Sequence, residues 1–215
     1  MALIKDKDKE YLNEAFLNLE NDVTIVVFTQ EVECQYCELT RQMATEVAEL
    51  SDKIHLEIYD FVKDKDKTDE YEVDKIPAMV LLGDRDYGIR FYGIPAGYEF
   101  TTLIEDIQDV AKRDPGLEPE ILEGLKKVDQ PVRMQAMVSP TCPYCPKAVR
   151  VAHQFAMANE HITGDMVEVS EFPHLAVKYE VQGVPKTVIN EDHDIVGAQP
   201  LPQFLNAVLT AIGKV

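Results

Sequence analysis

The sequence lacks the features of fibrous, disordered, membrane-spanning and secreted proteins. It contains no tryptophan and 10 glycines in 215 residues, and 46% of its residues are hydrophobic, which is typical of neither a fibrous repeat nor a disordered chain. No apolar run approaches the roughly 18 residues that a membrane span requires. The first residues, MALIKDKDKE, carry charge too early for a secretory signal. We therefore expect a cytoplasmic protein that does not enter the membrane.

Basic residues are also scarce relative to acidic ones. The chain has 21 Lys and Arg against 39 Asp and Glu, which gives a formal net charge of -18. No cluster of basic residues offsets this excess, and a field of that sign repels phosphate backbones. The composition therefore argues against nucleic acid as a partner.

Cysteine is rare as well, and its placement is informative. The 4 cysteines all fall in two C-x-x-C motifs, CQYC at Cys34 and Cys37 and CPYC at Cys142 and Cys145, so none is left for other bridges. In a reducing compartment such a pair is more often catalytic or metal-binding than a permanent cross-link. The sulfur atoms are thus a redox pair, part of a metal site, or small core residues.

The two motifs belong to an internal repeat. Their first cysteines lie 108 positions apart, and the segments YEVDKIPAMV and YEVQGVPKTV repeat with the same offset. In each copy a proline, Pro77 or Pro185, lies 43 positions after the first cysteine. Because the length suits two units of roughly 100 residues, we predict a first repeat at 1–116 and a second at 117–215. The segment RDPG, 113–116, is the expected seam.

Hydrophobic periodicity predicts the same order of elements in both repeats. VTIVVF and VRMQAMV are typical of buried strands, and CELTRQMATEVAEL has the apolar spacing of a helix. The predicted order is helix, strand, helix, strand, helix, strand, strand, helix. This order predicts an α/β fold of two tandem units, each a mixed β-sheet flanked by helices. In the first helix the apolar residues at helical spacing are Tyr11, Leu12, Ala15, Phe16 and Leu19.

Each C-x-x-C is predicted to lie between a strand and a helix, which suits sulfur chemistry. At the start of a helix, unpaired N–H groups and the helix dipole favour an anion and lower a cysteine pKa to about 3.5–7.5. The second cysteine can then attack the mixed disulfide and release the product. We assign Cys34 and Cys142 as the attacking sulfurs and Cys37 and Cys145 as the resolving ones.

The other interpretations of the cysteines are less favoured. A zinc site of four cysteines uses the same spacing, but its halves normally lie about 15–20 residues apart, whereas here each pair belongs to its own repeat. Inert core cysteines do not explain two pairs in the same register. Tyr36 and Tyr144 occupy the same place in the two motifs. We predict that they cover the sites rather than transfer protons, because an unperturbed tyrosine pKa is about 10.

These motifs resemble those of a known family of proteins. Each repeat resembles a thioredoxin or glutaredoxin fold, and the whole chain resembles the protein disulfide oxidoreductases of archaea and thermophilic bacteria. The segments that carry it are CQYC, YGIPAGYEF, SPTCPYCPKAVRVAHQFA, GDMVEV and GVPK. The resemblance implies two active sites that reduce, form or shuffle disulfides in protein clients. It also implies a thioredoxin-reductase-like flavoprotein as the electron source.

The resemblance further implies a role for the two prolines. Pro77 and Pro185 would follow cis peptide bonds and face the sulfurs, and the backbone of Ile76 and Val184 would pair with a client strand. We expect no bound cofactor and no metal. The alternatives are an electron-relay module of a peroxidase or glutaredoxin system, a zinc-binding C-x-x-C module and a redox-silent chaperone.

The two sites are predicted to be unequal. Residues 31–42 carry a formal charge of -2, whereas 139–150 carry +2 from Lys147 and Arg150. Nearby cations favour a thiolate, and Pro143 has a φ suited to the first turn of a helix. We therefore expect Cys142 to have the lower pKa and the second site to be the more reactive.

Overall fold

The computed structural model describes residues 3–214. Its elements follow the predicted order in both repeats, which confirms the α/β class. They are α1 (Asp6–Phe16), β1 (Val23–Thr29), α2 (Cys37–Ala48), β2 (Ile54–Asp60), α3 (Lys65–Glu70), β3 (Ala78–Leu82), β4 (Asp86–Tyr92), α4 (Glu99–Lys112), α5 (Pro119–Leu125), β5 (Val132–Val138), α6 (Cys145–Ala158), β6 (Ile162–Glu168), α7 (Pro173–Lys178), β7 (Lys186–Ile189), β8 (His193–Val196) and α8 (Leu201–Ala211).

The two predicted sheets are joined into one. The described strands form an eight-stranded sheet in the order β2-β1-β3-β4-β6-β5-β7-β8. The repeats meet where β4 pairs in parallel with β6, with Arg90 opposite Asp165. The boundary at residue 116 stays a prediction, and residues 113–118 connect α4 to α5 at the expected seam.

Strand direction places the two motifs at the same side of the sheet, where the carboxyl ends of β1 and β5 lie. β1 is antiparallel to β3 and β3 to β4, whereas β4, β6 and β5 are mutually parallel along the pairing order. β1 and β5 therefore run in the same direction. The C-x-x-C that follows each of them lies at the same edge.

The helices cover the two faces unequally. Buried residues from α1, α2, α4 and α6 pack on one face with Ile25 and Val27, and α5 and α8 extend this layer over β5 and β7. On the other face, Val26 and Phe28 pack with residues near the short helices α3 and α7. Within residues 3–214, no helix has both the length and the apolar character to cross a bilayer.

The apolar residues at helical spacing in the first helix are only partly buried. Leu12 and Phe16 are each 3% exposed, but Tyr11 is 71% exposed, because one stripe of a helix is wide enough for only part of the apolar set. Leu19 is buried although α1 ends at Phe16. In β2, Ile58 is 43% exposed, since this strand forms an edge of the described sheet.

Candidate active sites

Both C-x-x-C motifs form disulfide bonds. Cys34 and Cys37, here called the first site, have Cα atoms 5.4 Å apart, and Cys142 and Cys145, the second site, have Cα atoms 5.5 Å apart. Three strands lie between β1 and β5, so strand spacing alone separates the sites by roughly 19 Å. The four sulfur atoms therefore do not converge, which removes the geometry of a shared zinc site.

In each site the second cysteine is the less accessible one. Cys37 is 3% exposed and Cys145 is 0% exposed, whereas Cys142 is 8% exposed and Cys34 is half-buried. A client disulfide can therefore reach the first sulfur of each pair more easily. This order of accessibility agrees with attacking roles for Cys34 and Cys142.

The helices begin one turn later than the sequence suggested. Both α2 and α6 start at the second cysteine, and the first cysteine lies in the preceding turn. At the second site this turn is closed by hydrogen bonds from the Cys142 N–H to the Ser139 carbonyl (3.1 Å) and from the Cys145 N–H to the Cys142 carbonyl (3.4 Å). The proline in the first turn of α6 is thus Pro146, and not Pro143 as expected.

The two tyrosines differ in exposure. Tyr36 is half-buried at the residue before α2, while Tyr144, at the same place before α6, is 70% exposed. Tyr144 therefore presents much of its ring to solvent, and its role as cover for the second site stays a prediction. A ring in this position is available to a docking protein.

Both prolines have the cis form that the resemblance implies, and within residues 3–214 a contact between a first cysteine and the residue before the proline is found only at the second site. The Ile76–Pro77 and Val184–Pro185 peptide bonds are both cis. Each proline leads directly into a strand, β3 or β7, and is buried, while the residue before it is half-buried. The Sγ atom of Cys142 lies 3.7 Å from the carbonyl oxygen of Val184. A matching contact between Cys34 and Ile76 is not found within the described residues.

The residues before the prolines have unused backbone donors. Within residues 3–214, the N–H groups of Ile76 and Val184 donate no hydrogen bond to the protein. The prolines themselves are held, because Gly93 donates to the Pro77 carbonyl (2.9 Å) and Gly197 to the Pro185 carbonyl (2.8 Å). Both sites thus have a fixed segment with a free donor next to it.

The charge of Arg150 is compensated, which weakens the predicted asymmetry. Its guanidinium forms ion pairs with Asp106 and Asp109 and with Glu105 (3.2 Å), all on α4. His153 also contacts Asp106, at 2.6 Å from Nδ1 to Oδ2. Arg150 therefore holds α6 against α4 and contributes little net positive charge to the second site. The higher reactivity of Cys142 stays a prediction.

Two carboxyl groups with raised pKa values were missed from the sequence. Burial raises the pKa of Glu99, at the start of α4, to about 7, and burial raises the pKa of Glu171 to about 7. The Glu171 carboxylate accepts a hydrogen bond from the Ile94 N–H (2.7 Å). Tyr98, the residue before Glu99, donates its N–H to the Pro140 carbonyl (3.2 Å). The segment YGIPAGYEF, which contains Glu99, was singled out in the sequence, but its residues do not show that the Glu99 side chain is buried.

Comparison with known proteins agrees with this geometry. The thioredoxin domain family model matches residues 132–210. A protein disulfide oxidoreductase from Aeropyrum pernix is 32% identical, with 99% of this chain and 95% of that chain aligned at a TM-score of 0.91. The alkylhydroperoxide reductase AhpF from Enterococcus faecalis is 28% identical, with 95% and 98% aligned at a TM-score of 0.87.

A curated relative is considerably longer than this chain. The NADH dehydrogenase of Bacillus subtilis (strain 168) is 25% identical over 197 residues, which are 92% of this chain and 36% of that protein. The chain thus spans a little over a third of the length of such relatives.

A C-x-x-C disulfide between a strand and a helix, in a chain with the thioredoxin fold, is the arrangement typical of thiol-disulfide oxidoreductases. This is the class of enzyme to which the chain is assigned. The identity with the Aeropyrum protein extends along nearly all of both chains. The chain therefore belongs to the protein disulfide oxidoreductase family, as its motifs predicted.

Proposed function

We propose that both C-x-x-C pairs are catalytic centres for disulfides in protein clients. The thiolate of Cys34 or Cys142 attacks one sulfur of a client disulfide, forms a mixed disulfide and releases a client thiolate. The thiolate of Cys37 or Cys145 then attacks the first cysteine and releases the second client thiol. Two electrons pass to the client, and the enzyme pair becomes a disulfide. The reverse sequence forms a client disulfide.

The observation that carries this proposal is the position of Val184. Its carbonyl oxygen lies 3.7 Å from the Cys142 Sγ atom, and its N–H is unused within the described residues. An extended client segment gains affinity by pairing its backbone with such exposed groups. A client strand bound there would bring its sulfur to Cys142. We assign Ile76 and Pro77 the same role at the first site, with Tyr36 and Tyr144 as flanking contacts.

We further propose that a thioredoxin-reductase-like flavoprotein reduces the two sites in the cytoplasm. Turnover in the reducing direction requires an electron donor, because each cycle leaves one enzyme pair oxidised. An electron-relay role is the second candidate function, since the alkylhydroperoxide reductase AhpF of Enterococcus faecalis has the same fold over 95% of this chain. Oxidation of the reduced protein by a protein disulfide or by a disulfide-form peroxidase would distinguish the two functions, because they differ in the acceptor of the electrons.

Insulin reduction with dithiothreitol tests the proposal directly. We expect Cys34→Ser and Cys142→Ser each to lower the rate, and the double variant to lower it to the uncatalysed level. We also expect Cys37→Ser and Cys145→Ser to accumulate a mixed disulfide with a client peptide, visible by mass spectrometry. A double variant that retains full activity would show that the cysteines are not the catalysts.

A further inference from the structure

Arginine side chains from two strands hold the segment before Pro77. The Tyr71 carbonyl accepts hydrogen bonds from Nε (3.1 Å) and Nη2 (3.0 Å) of Arg90, which lies on β4 of the same repeat. Three residues further along, Asp74 meets an arginine from the other repeat. The short segment 71–77 is thus held at several points before it reaches the first site.

Arg133 on β5 contributes the contact between the repeats. Its Nη1 and Nη2 atoms donate to the two oxygens of Asp74 at 2.7 and 3.2 Å. Its Nε atom donates at 2.6 Å to Asp165, whose side chain is fully buried. A guanidinium that binds a carboxylate at two points fixes its direction as well as its distance. Asp165 therefore orients Arg133, and Arg133 orients Asp74.

Lys75 strengthens this arrangement from the next position. Its side chain is 12% exposed, pairs with Asp74 and places Nζ 3.6 Å from the centre of the Tyr92 ring. Burial lowers the pKa of Lys75. Burial would raise the pKa of Asp74, but the hydrogen bonds from Arg133 and the charge of Lys75 lower it to about 2. Asp74 is therefore ionised throughout the neutral range.

The second repeat has no counterpart of this anchor in the part of the chain that the structure describes. Gln182 stands where the first repeat has Asp74, and Gly183 stands where it has Lys75. A Cβ atom built on Gly183 would meet no other atom within 4 Å. The carbonyl of Tyr179 is held by Lys186 (2.8 Å), as Arg90 holds Tyr71. The two residues before the client-binding pair are therefore anchored through a side chain of the other repeat only in the first repeat, within the part of the chain that the structure describes.

We propose that Arg133 is a positioning residue for the first site: it reaches from the second repeat, fixes Asp74 and thereby sets the backbone of Ile76 and Pro77 that receives the client. The inference rests on the proposed function of that backbone. It means that capture of a client at the first site depends on the second repeat. Within residues 3–214, no ion pair from the first repeat holds the corresponding segment before Pro185.

The test uses enzymes with one active site each. The first-site enzyme carries Cys142→Ser and Cys145→Ser, and the second-site enzyme carries Cys34→Ser and Cys37→Ser. Asp74→Ala is added to both, with Gln182→Ala as the matched control at the equivalent position. Asp74 is 47% exposed, and its removal leaves the Arg133–Asp165 pair intact, so folding should be preserved and is checked by thermal unfolding.

The readout is the reduction of a disulfide-containing peptide. In the first-site enzyme we expect Asp74→Ala to raise KM about 5- to 20-fold with kcat within about twofold, because binding geometry and not sulfur chemistry is altered. Arg133→Lys keeps a positive charge beside the buried Asp165 but loses the two-point contact with Asp74, so it should raise KM in the same direction. Adding it to Asp74→Ala should change KM little further, since both act through one contact. Gln182→Ala should leave KM unchanged in both enzymes.

The outcomes separate this inference from the proposed function. A first-site enzyme without activity would overturn the catalytic role of Cys34 and, with it, the inference. An active first-site enzyme whose KM is unaffected by Asp74→Ala would overturn the inference alone. An equal rise of KM in the second-site enzyme would also overturn it, because the effect would then be general.

Discussion

The Sγ atom of Cys142 lies 3.7 Å from the carbonyl oxygen of Val184, although the two residues are 42 positions apart in the chain. The contact joins the turn before α6 to the segment before β7. It places the reactive sulfur beside a backbone group at the start of an antiparallel hairpin. The contribution of the Val184 N–H to client binding can be tested without changing the sulfur of Cys142.

Val184→Pro should weaken client binding at the second site. The substitution removes the N–H that is unused within the described residues, and the loss of one hydrogen bond, about 0.5–1.5 kcal/mol, corresponds to a rise in KM of about 2- to 10-fold. Val184→Ala retains the donor and should stay close to wild type. Steady-state kinetics in the second-site enzyme measure the effect, and an equal rise in Val184→Ala would assign it to the side chain.

The thiol pKa of Cys142 should respond to Lys147 more than to Arg150. Lys147 is exposed, whereas Arg150 is bound by three acidic side chains. In a Cys145→Ser background, we expect Lys147→Gln to raise the Cys142 pKa by a few tenths of a unit, less at high salt. Thiolate absorbance titrations give the pKa. The same titration of Cys34 in a Cys37→Ser background tests the asymmetry, which fails if Cys34 has an equal or lower pKa.

Arg150→Met should destabilise the whole chain. Arg150 is 14% exposed and neutralises the fully buried Asp106, so its removal leaves a buried charge and should cost roughly 3–5 kcal/mol. Lys126→Met breaks an ion pair with Glu123 in which both side chains are 68% exposed, and it should cost less than about 1 kcal/mol. Urea unfolding of the two variants makes the comparison. Similar losses would show that Arg150 does not join α6 to α4.

The carboxyl group of Glu99 should make the folded state less stable as pH rises. Burial and the charge of Asp106 raise its pKa from 4.5 to about 7, against a hydrogen bond from Thr102. The folded state therefore binds this proton more tightly, and stability falls between pH 4.5 and about 7 by on the order of 3 kcal/mol. Glu99→Gln should be more stable than wild type at about pH 8 and similar at about pH 4.

A matched variant checks the Glu99 prediction. Glu160 is exposed, so Glu160→Gln should leave the unfolding free energy unchanged at both pH values. Glu171, whose pKa burial also raises to about 7, remains in both variants and contributes a slope of the same sign. The interpretation of Glu99 is wrong if Glu99→Gln shows the full pH dependence of wild type.

The parts of the fold that local patterns determine were predictable. Strand and helix order follows from periodicity, and the offset of 108 between the motifs follows from the repeat. The pairing of β4 with β6 was not predictable, because a buried apolar strand does not encode which strand lies beside it. The partners of Arg150 were missed for a similar reason: Asp106 is 44 positions away, and only the packing of α4 on α6 brings the charges together.

The candidate active sites could likewise be predicted only as far as short sequence motifs describe them. The cysteines and prolines are short motifs with fixed spacing, so they could be found without the structure. The exposure of Tyr144, the burial of Glu99 and the contact of Arg133 with Asp74 depend on residues far away in the chain. Burial and long-range ion pairs are properties of the packed molecule, which periodicity does not describe.

One shared edge of one sheet carries both sulfur pairs, with roughly 19 Å between the strands that lead to them. Direct exchange of a disulfide between the pairs within one molecule is out of reach at that span. Electrons that leave one pair must travel on a carrier, and an extended peptide needs about six residues to bridge the gap. A client can therefore be engaged by both pairs at once only through cysteines at least that far apart in its own sequence.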